Sequence, residues 1–299
     1  MSAIHQALST LSQVILGKQQ QLKLSVCCLL ADGHLLIEDL PGMGKTTLSH
    51  ALAKVFGLDY SRIQFTSDLL PADVLGVSVF EKDPQTGEGN FRFHPGPVFA
   101  QVVLADEINR ATAKSQSALL EAMEERQVTV EGTTRHLPDP FFVIATQNPA
   151  SQAGTFPLPE SQLDRFLMCI SLGYPDERAE RALLEGTSRR DMMTDLREVL
   201  STQNLMSLRD QVERVKASSS VLDYLQRIIA FSRSDSSFPY GLSPRGGLAL
   251  LRAAKAWAVL EERDFLIPED VQAVLAAVAD HRLQPGAARK ILERVAVLA

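Results

Sequence analysis

Residues 38–47 read Glu-Asp-Leu-Pro-Gly-Met-Gly-Lys-Thr-Thr and follow the apolar run His34-Leu35-Leu36-Ile37. A strand, a glycine-bearing turn and a helix opening at lysine together make a phosphate cradle. Backbone N–H groups point into the turn, the helix N-terminus adds positive potential, and the lysine reaches the outer phosphates. Gly42 and Gly44 permit close backbone approach, Lys45 brings charge, and Thr46 offers a hydroxyl suited to Mg2+. The first glycine usual in such loops, five residues before Gly44, is Asp39 here. Aspartate tolerates left-handed backbone at modest cost, so the expectation is a tolerated residue whose carboxylate points away from the phosphates.

Downstream, "VVLADE" is an apolar strand ending in Asp106-Glu107. An acid at the end of a strand beside a phosphate loop is where Mg2+ is held, and a second acid can polarise an attacking water. "FFVIATQNP" is another strand, ending in Gln147-Asn148, and the Asn148 amide is placed to orient water. "PESQLDRF" carries Arg165, a candidate for stabilising the γ-phosphate of a neighbouring subunit or, more plainly, for a surface ion pair with Asp164. "GLSPRGGLALL" sets Arg245 in the first turn of a helix, where it could lean back onto the phosphates or simply be solvated. Asn109 is read as a helix N-cap, with a water-polarising role as its alternative.

Around these motifs, residues 3–16, 19–31 and 45–56 have helical spacing, and "YSRIQF" is strand-like. Two hairpins are expected, one across "VSVFEKDPQTGEGNFRF" and one across "QVTVEGTTRHL" turning near Glu131-Gly132. Strands alternating with helices predict a mainly parallel sheet covered on both faces. After Tyr174-Pro175 the pattern becomes helical, which predicts an α/β nucleotide-binding domain over 1–175 and a small helical domain over 176–299.

The 299 residues, 45% hydrophobic and 22% charged, describe a globular chain. A net charge of −6 argues against a wholly nucleic-acid-gripping surface. Cys27, Cys28 and Cys169 lack metal-ligand spacing and read as buried thiols of a reducing cytoplasm. No signal peptide and no membrane span are visible.

The order of these elements resembles that of the AAA+ ATPases and, within them, the MoxR family. The resemblance rests on "LPGMGKTT" (Walker A), "RIQFTSDLLPADVLG", "GPVFAQVVLADEINRATAKSQSALLEAMEERQVTV" (with the Walker B acids), "FFVIATQNP" (sensor 1), "FPLPESQLDRF" (arginine finger) and "LSPRGGLALLRAAKAWA" (sensor 2). It covers nearly the whole chain. It implies a P-loop α/β core with a helical lid, an ATPase using ATP and Mg2+, and a loop formed by Pro41, Gly42, Met43, Gly44, Lys45, Thr46 and Thr47. Thr46 and Asp106 would hold the metal. Glu107, Asn148, Arg165 and Arg245 would act on the phosphates. The resemblance also implies a ring, usually of six subunits, with the hairpins near 80–93 and 126–137 projecting from one face. Family members resemble chaperones that remodel or activate partners, often ones with a von Willebrand factor A domain and a bound metal ion. Two other readings stand beside this one: a nucleotide-gated interaction module with little turnover, favoured only by Asp39, and a chelatase-like or nucleic-acid motor subunit. The hairpins hold few basic residues and no basic–aromatic alternation, so a nucleic-acid channel is not indicated.

Overall fold

The computed structural model describes residues 2–82, 89–148, 158–185 and 189–298. Helices α1 (Ala3–Val14) and α2 (Gln19–Leu30) lead into β1 (Leu35–Glu38) and α3 (Lys45–Val55). There follow β2 (Tyr60–Gln64), α4 (Pro71–Leu75), the hairpin β3 (Gly76–Lys82) and β4 (Gly89–Pro95), then β5 (Val102–Asp106) and α5 (Ala113–Glu125). A second hairpin, β6 (Gln127–Val130) and β7 (Thr133–His136), precedes β8 (Phe142–Gln147), the one-turn α6 (Glu160–Leu163) and β9 (Met168–Ile170). The remainder is helical: α7 (Glu177–Leu184), α8 (Arg189–Asp195), α9 (Thr202–Arg214), α10 (Ser219–Ser234), α11 (Pro244–Leu260), α12 (Pro268–Ala279) and α13 (Ala287–Arg294). Its β-type pairing among the described residues is the single bridge between Lys216 and Phe265.

Five strands form one parallel sheet in the order β2-β5-β8-β1-β9. Successive side chains of a strand point to opposite faces, so a strand buried on both sides is apolar throughout. Leu35, Ile37, Val102, Leu104, Phe142 and Ile144 join the core that includes α1, α2, α3 and the later helices. Leu36, Val103, Ala105, Val143 and Ala145 join the other core, under α5. β9 was not expected from the sequence, because three residues are too short to show alternation. The hairpin turn "DPQTGEGN" falls largely at 83–88, outside the described residues. The paired strands β3 and β4 form a two-stranded sheet of their own, as do β6 and β7. The two hairpins touch: the Arg135 guanidinium lies 3.8 Å over the Phe93 ring.

The helical region is fastened to the sheet by buried charge. Arg282, with 5% of its side chain exposed, pairs with Asp164 at 2.7 Å and donates to the carbonyls of Phe166 and Leu167 at 2.7 and 3.2 Å. Ser243, the N-cap of α11, donates to the other Asp164 oxygen at 3.2 Å. The adjacent glycines of α11 sit in tight space: a Cβ on Gly247 would stand 2.8 Å from Ile229 Cδ1, so that side-chain end would have to shift.

Candidate nucleotide site

The carboxyl ends of β1, β5 and β8 lie side by side, and ligands of parallel α/β sheets bind beyond such ends. Here they border a cleft of about 470 Å3, lined by Gly42, Lys45, Thr46, Arg62, Asp106, Glu107 and Asn148 among others. Gly42 and Gly44 take left-handed backbone, φ +86° and +90°, which turns the loop so that α3 starts at Lys45. Lys45 Nζ donates to the Asp39 carbonyl at 2.7 Å and to Asn148 Oδ1 at 3.3 Å. Partial burial pushes the Lys45 pKa down, and Asp106, Asp39 and Glu107 oppose that shift.

Glu107 is a non-glycine residue in left-handed backbone, φ +56°, a strained geometry that functional sites concentrate. It turns the side chain back over the sheet end. There the carboxylate accepts from Asn148 Nδ2 at 3.0 Å and Gln64 Nε2 at 3.0 Å, with Arg110 Nε 3.2 Å away. Asp106 accepts from the Thr146 hydroxyl at 2.7 Å and from an Arg62 guanidinium nitrogen at 2.7 Å. Thr146 in turn accepts the Glu107 backbone N–H at 2.8 Å.

The structure therefore brings together Lys45, Thr46, Asp106, Glu107 and Asn148. It adds Arg62, Gln64, Arg110 and Thr146, which the sequence reading did not single out. Polar side chains at alternate positions near the end of the otherwise strand-like "YSRIQF" were the available signal for two of them. Asn109 is not the N-cap of α5, a place held by Thr112. It is buried, and its amide donates to the Asn148 carbonyl at 3.0 Å, which fixes that strand end. A second recess of about 240 Å3 shares Gly42, Met43 and Gly44 with the loop and is walled by Val14 to Leu16 and by Gly173 to Pro175.

Two expectations need correction. Asp39 does not adopt left-handed backbone: it is absent from the positive-φ residues, and there is no strain to relieve. Its carboxylate is buried and turned out of the cleft. One oxygen accepts from the N–H groups of Leu172 and Gly173 at 2.6 and 2.7 Å and from the Ser171 hydroxyl at 3.2 Å; the other accepts from Leu40 N–H at 3.0 Å. The acid that alone favoured a binding-only module is thus a clamp on the segment after β9.

Arg245, read as leaning back onto the phosphates or as simply solvated, does not reach the phosphate loop of its own chain. Arg245 and Arg165 both pair with Glu124 at the end of α5, Arg165 at 3.1 Å. This cluster lines a cleft of about 540 Å3 with Asp32, Gly33 and His34, which precede β1. Lys45 follows β1, whose four residues rise about 13 Å, so the two arginines and the phosphate loop occupy opposite ends of the sheet. The cause is the packing of α11 on α2, α9 and α12 and the bond from Ser243 to Asp164. Arg165 does not pair with Asp164, whose carboxylate is engaged by Arg282 and Ser243.

A parallel five-stranded sheet in this order, a phosphate loop after β1 and a following helical lid define a P-loop ATPase core of the AAA+ type. The model of the ATPase family associated with various cellular activities matches residues 34–168, and the AAA lid domain matches 230–298. The protein YeaC of Bacillus subtilis is 46% identical over 277 residues, 93% of this chain and 85% of that protein. Chaperone MoxR1 of Mycobacterium tuberculosis is 38% identical over 289 residues, 94% of this chain and 75% of that protein. A crystal structure from Cytophaga hutchinsonii superposes with a TM-score of 0.89 at 35% identity, covering 98% of this chain and 94% of that one. The chain belongs to the MoxR family of AAA+ ATPases.

Proposed function

We propose that this chain hydrolyses ATP with Mg2+ as one subunit of a ring, most simply a hexamer, and uses the cycle to remodel or activate a partner protein. The observation that carries hydrolysis is the meeting of Lys45, Asp106, Glu107 and Asn148 at three neighbouring strand ends around one cleft. The Thr46 hydroxyl and the Asp106 carboxylate line that cleft as hard oxygen donors, and such a pair suits Mg2+, which prefers one or two protein ligands plus phosphate oxygens. Bound there, Mg2+ neutralises phosphate charge.

The chain's own groups do the rest. The loop from Pro41 to Thr47 offers backbone N–H groups to the phosphates, and Lys45 exchanges the Asp39 carbonyl and Asn148 for the outer phosphates. Asn148, steadied by Asn109, orients the attacking water. Glu107 takes a proton from that water at its carboxylate, which Gln64 and Arg110 hold in place. The recess by Gly173 and Tyr174 receives the base and ribose. Arg165 and Arg245 serve the phosphates of the next subunit, a reading supported by their joint position at the far end of the sheet. The division at residue 175, nucleotide-binding part before and lid after, belongs to the same reading.

The partner side rests on kinship and on surface. MoxR1 carries the name chaperone, and the β3–β4 hairpin exposes Phe80 and Phe91, stacked edge to face at 5.3 Å. Exposed apolar pairs of this kind suit protein contacts. A partner with a von Willebrand factor A domain is the expected class. Among the described residues no helix is long and apolar enough to cross a membrane, and the free thiols accord with a cytoplasmic setting. The test is phosphate release followed by capture. Wild type should hydrolyse ATP and Lys45→Ala should not. The Glu107→Gln form should retain such a partner when ATP is present and lose it when ATP is removed; retention indifferent to ATP would remove the remodelling part.

A further inference from the structure

Arg62 opens the stretch "RIQFTSDLLPADVLG" and has no part in the site as the sequence describes it. It sits on edge strand β2, beside β5, in register with Leu104. One guanidinium nitrogen donates at 2.7 Å both to Asp106 Oδ2 and to Gln64 Oε1. The other Asp106 oxygen takes the Thr146 hydroxyl. Each oxygen of the carboxylate meant for a metal therefore already has a donor. The Arg62 side chain is 47% exposed, while that of Asp106 is 11% exposed. The arginine has room to swing and the aspartate does not.

We propose that Arg62 is a resident counter-cation that holds Asp106 until a divalent metal competes for it, and so raises the Mg2+ concentration the site requires. The proposal rests on the reading of the cleft as a Mg2+–nucleotide site. A guanidinium stays charged at all physiological pH and cannot leave by losing a proton. Held beside the same carboxylate, it and a divalent cation repel. Arg62 must therefore move off Asp106. Lys45 and Arg62 balance Asp106 and Glu107 in the cleft lining, so a displaced Arg62 faces a phosphate-bearing space.

The test reads binding, not turnover. A fluorescent methylanthraniloyl ATP analogue, at a concentration saturating for each variant in excess metal, is titrated with Mg2+. Arg62→Ala should lower the half-saturating Mg2+ concentration by about two- to fivefold, the range expected for a partly exposed ion pair. Arg62→Lys, which keeps the charge, should stay near wild type. An unchanged or higher midpoint for Arg62→Ala overturns the proposal. Wild type that fails to bind the analogue in excess Mg2+ overturns the nucleotide reading and the proposal with it. Binding by wild type but not by Lys45→Ala leaves the nucleotide reading standing and lets the Arg62→Ala midpoint decide alone.

Discussion

Arg165 and Arg245 grip one carboxylate, that of Glu124, from two different parts of the chain. Neither lines the cleft that holds Lys45. An arginine acting on transferred phosphate in trans is worth about 10³–10⁵ in rate, so Arg165→Ala and Arg245→Ala should each be inactive alone. Mixed with Lys45→Ala subunits, either should regain turnover, because an intact loop then meets intact arginines. Specific activity should also rise with protein concentration before levelling. No rescue despite demonstrated co-assembly would return both residues to their own chain's site or to none.

Binding and cleavage should separate at the ends of β1 and β5, the two strands that flank β8. Lys45→Ala should lose nucleotide while keeping the far-ultraviolet spectrum of the wild type, since the ammonium is bonded to one backbone carbonyl and one side-chain amide oxygen rather than to a partner charge. Glu107→Gln preserves shape but removes the base. Nucleotide should bind as in wild type while turnover falls by about 10²–10⁴. Equal turnover in Glu107→Gln and wild type would remove Glu107 from the chemistry.

Asp39→Gly restores the residue usual in phosphate loops, and sequence alone predicts unchanged or slightly better ATP affinity. The structure predicts a loss of stability instead, since the carboxylate is tied to residues 171–173. Without the carboxylate, the N–H groups of Leu172 and Gly173 lose their acceptor, and the buried one, Leu172, costs about 1–3 kcal/mol when left unmet. The thermal midpoint should drop by about 2–4 °C for each kcal/mol lost. A midpoint equal to wild type by calorimetry would show that water replaces the clamp.

His34 gives the fold an acid limit. It is buried; its Nδ1 accepts from Val143 N–H at 3.0 Å, so Nε2 carries the proton and faces the Met123 carbonyl at 3.3 Å. Burial, helped by Arg126, pushes its pKa down to about 3 from 6.5. Above about pH 6.5 neither the folded nor the unfolded ring is protonated and the contribution vanishes. Below it the unfolded chain takes up a proton that the folded chain refuses, so stability falls as pH drops toward 3. At pH 5 the loss from His34 is about 2 kcal/mol. His281, half-buried and also pushed down to about 3, chiefly by loss of water contact, adds to it. Denaturant unfolding at pH 7.5 and 5 should show a smaller difference for His34→Gln than for wild type; equal differences would count against His34.

Apart from β9, the strands, the hairpins and the residues around Lys45 were legible because each depends on local order. An apolar run ending in Asp106-Glu107 has few structural uses, and Lys45 after two glycines fewer still. What was hidden depends on packing between distant segments. Nothing around Asp39 reveals that residues 171–173 will come to it, since β9 is too short to announce itself. Arg62 and Gln64 gain meaning only once β2 pairs with β5. The place of Arg245 follows from how α11 lies on α2 and α9, which helical periodicity leaves open.

Asp39 touches Lys45 through its carbonyl and Leu172 and Gly173 through its carboxylate. The phosphate loop and the chain's exit toward the helical region thus share one residue. Linkage between two binding events is reciprocal in free energy. If bound nucleotide shifts that exit, a protein that grips the helical region must alter nucleotide affinity by the same factor that nucleotide alters its own. The arrival of a client would then be felt at Lys45 as tighter or looser ATP, before any bond to phosphorus is broken.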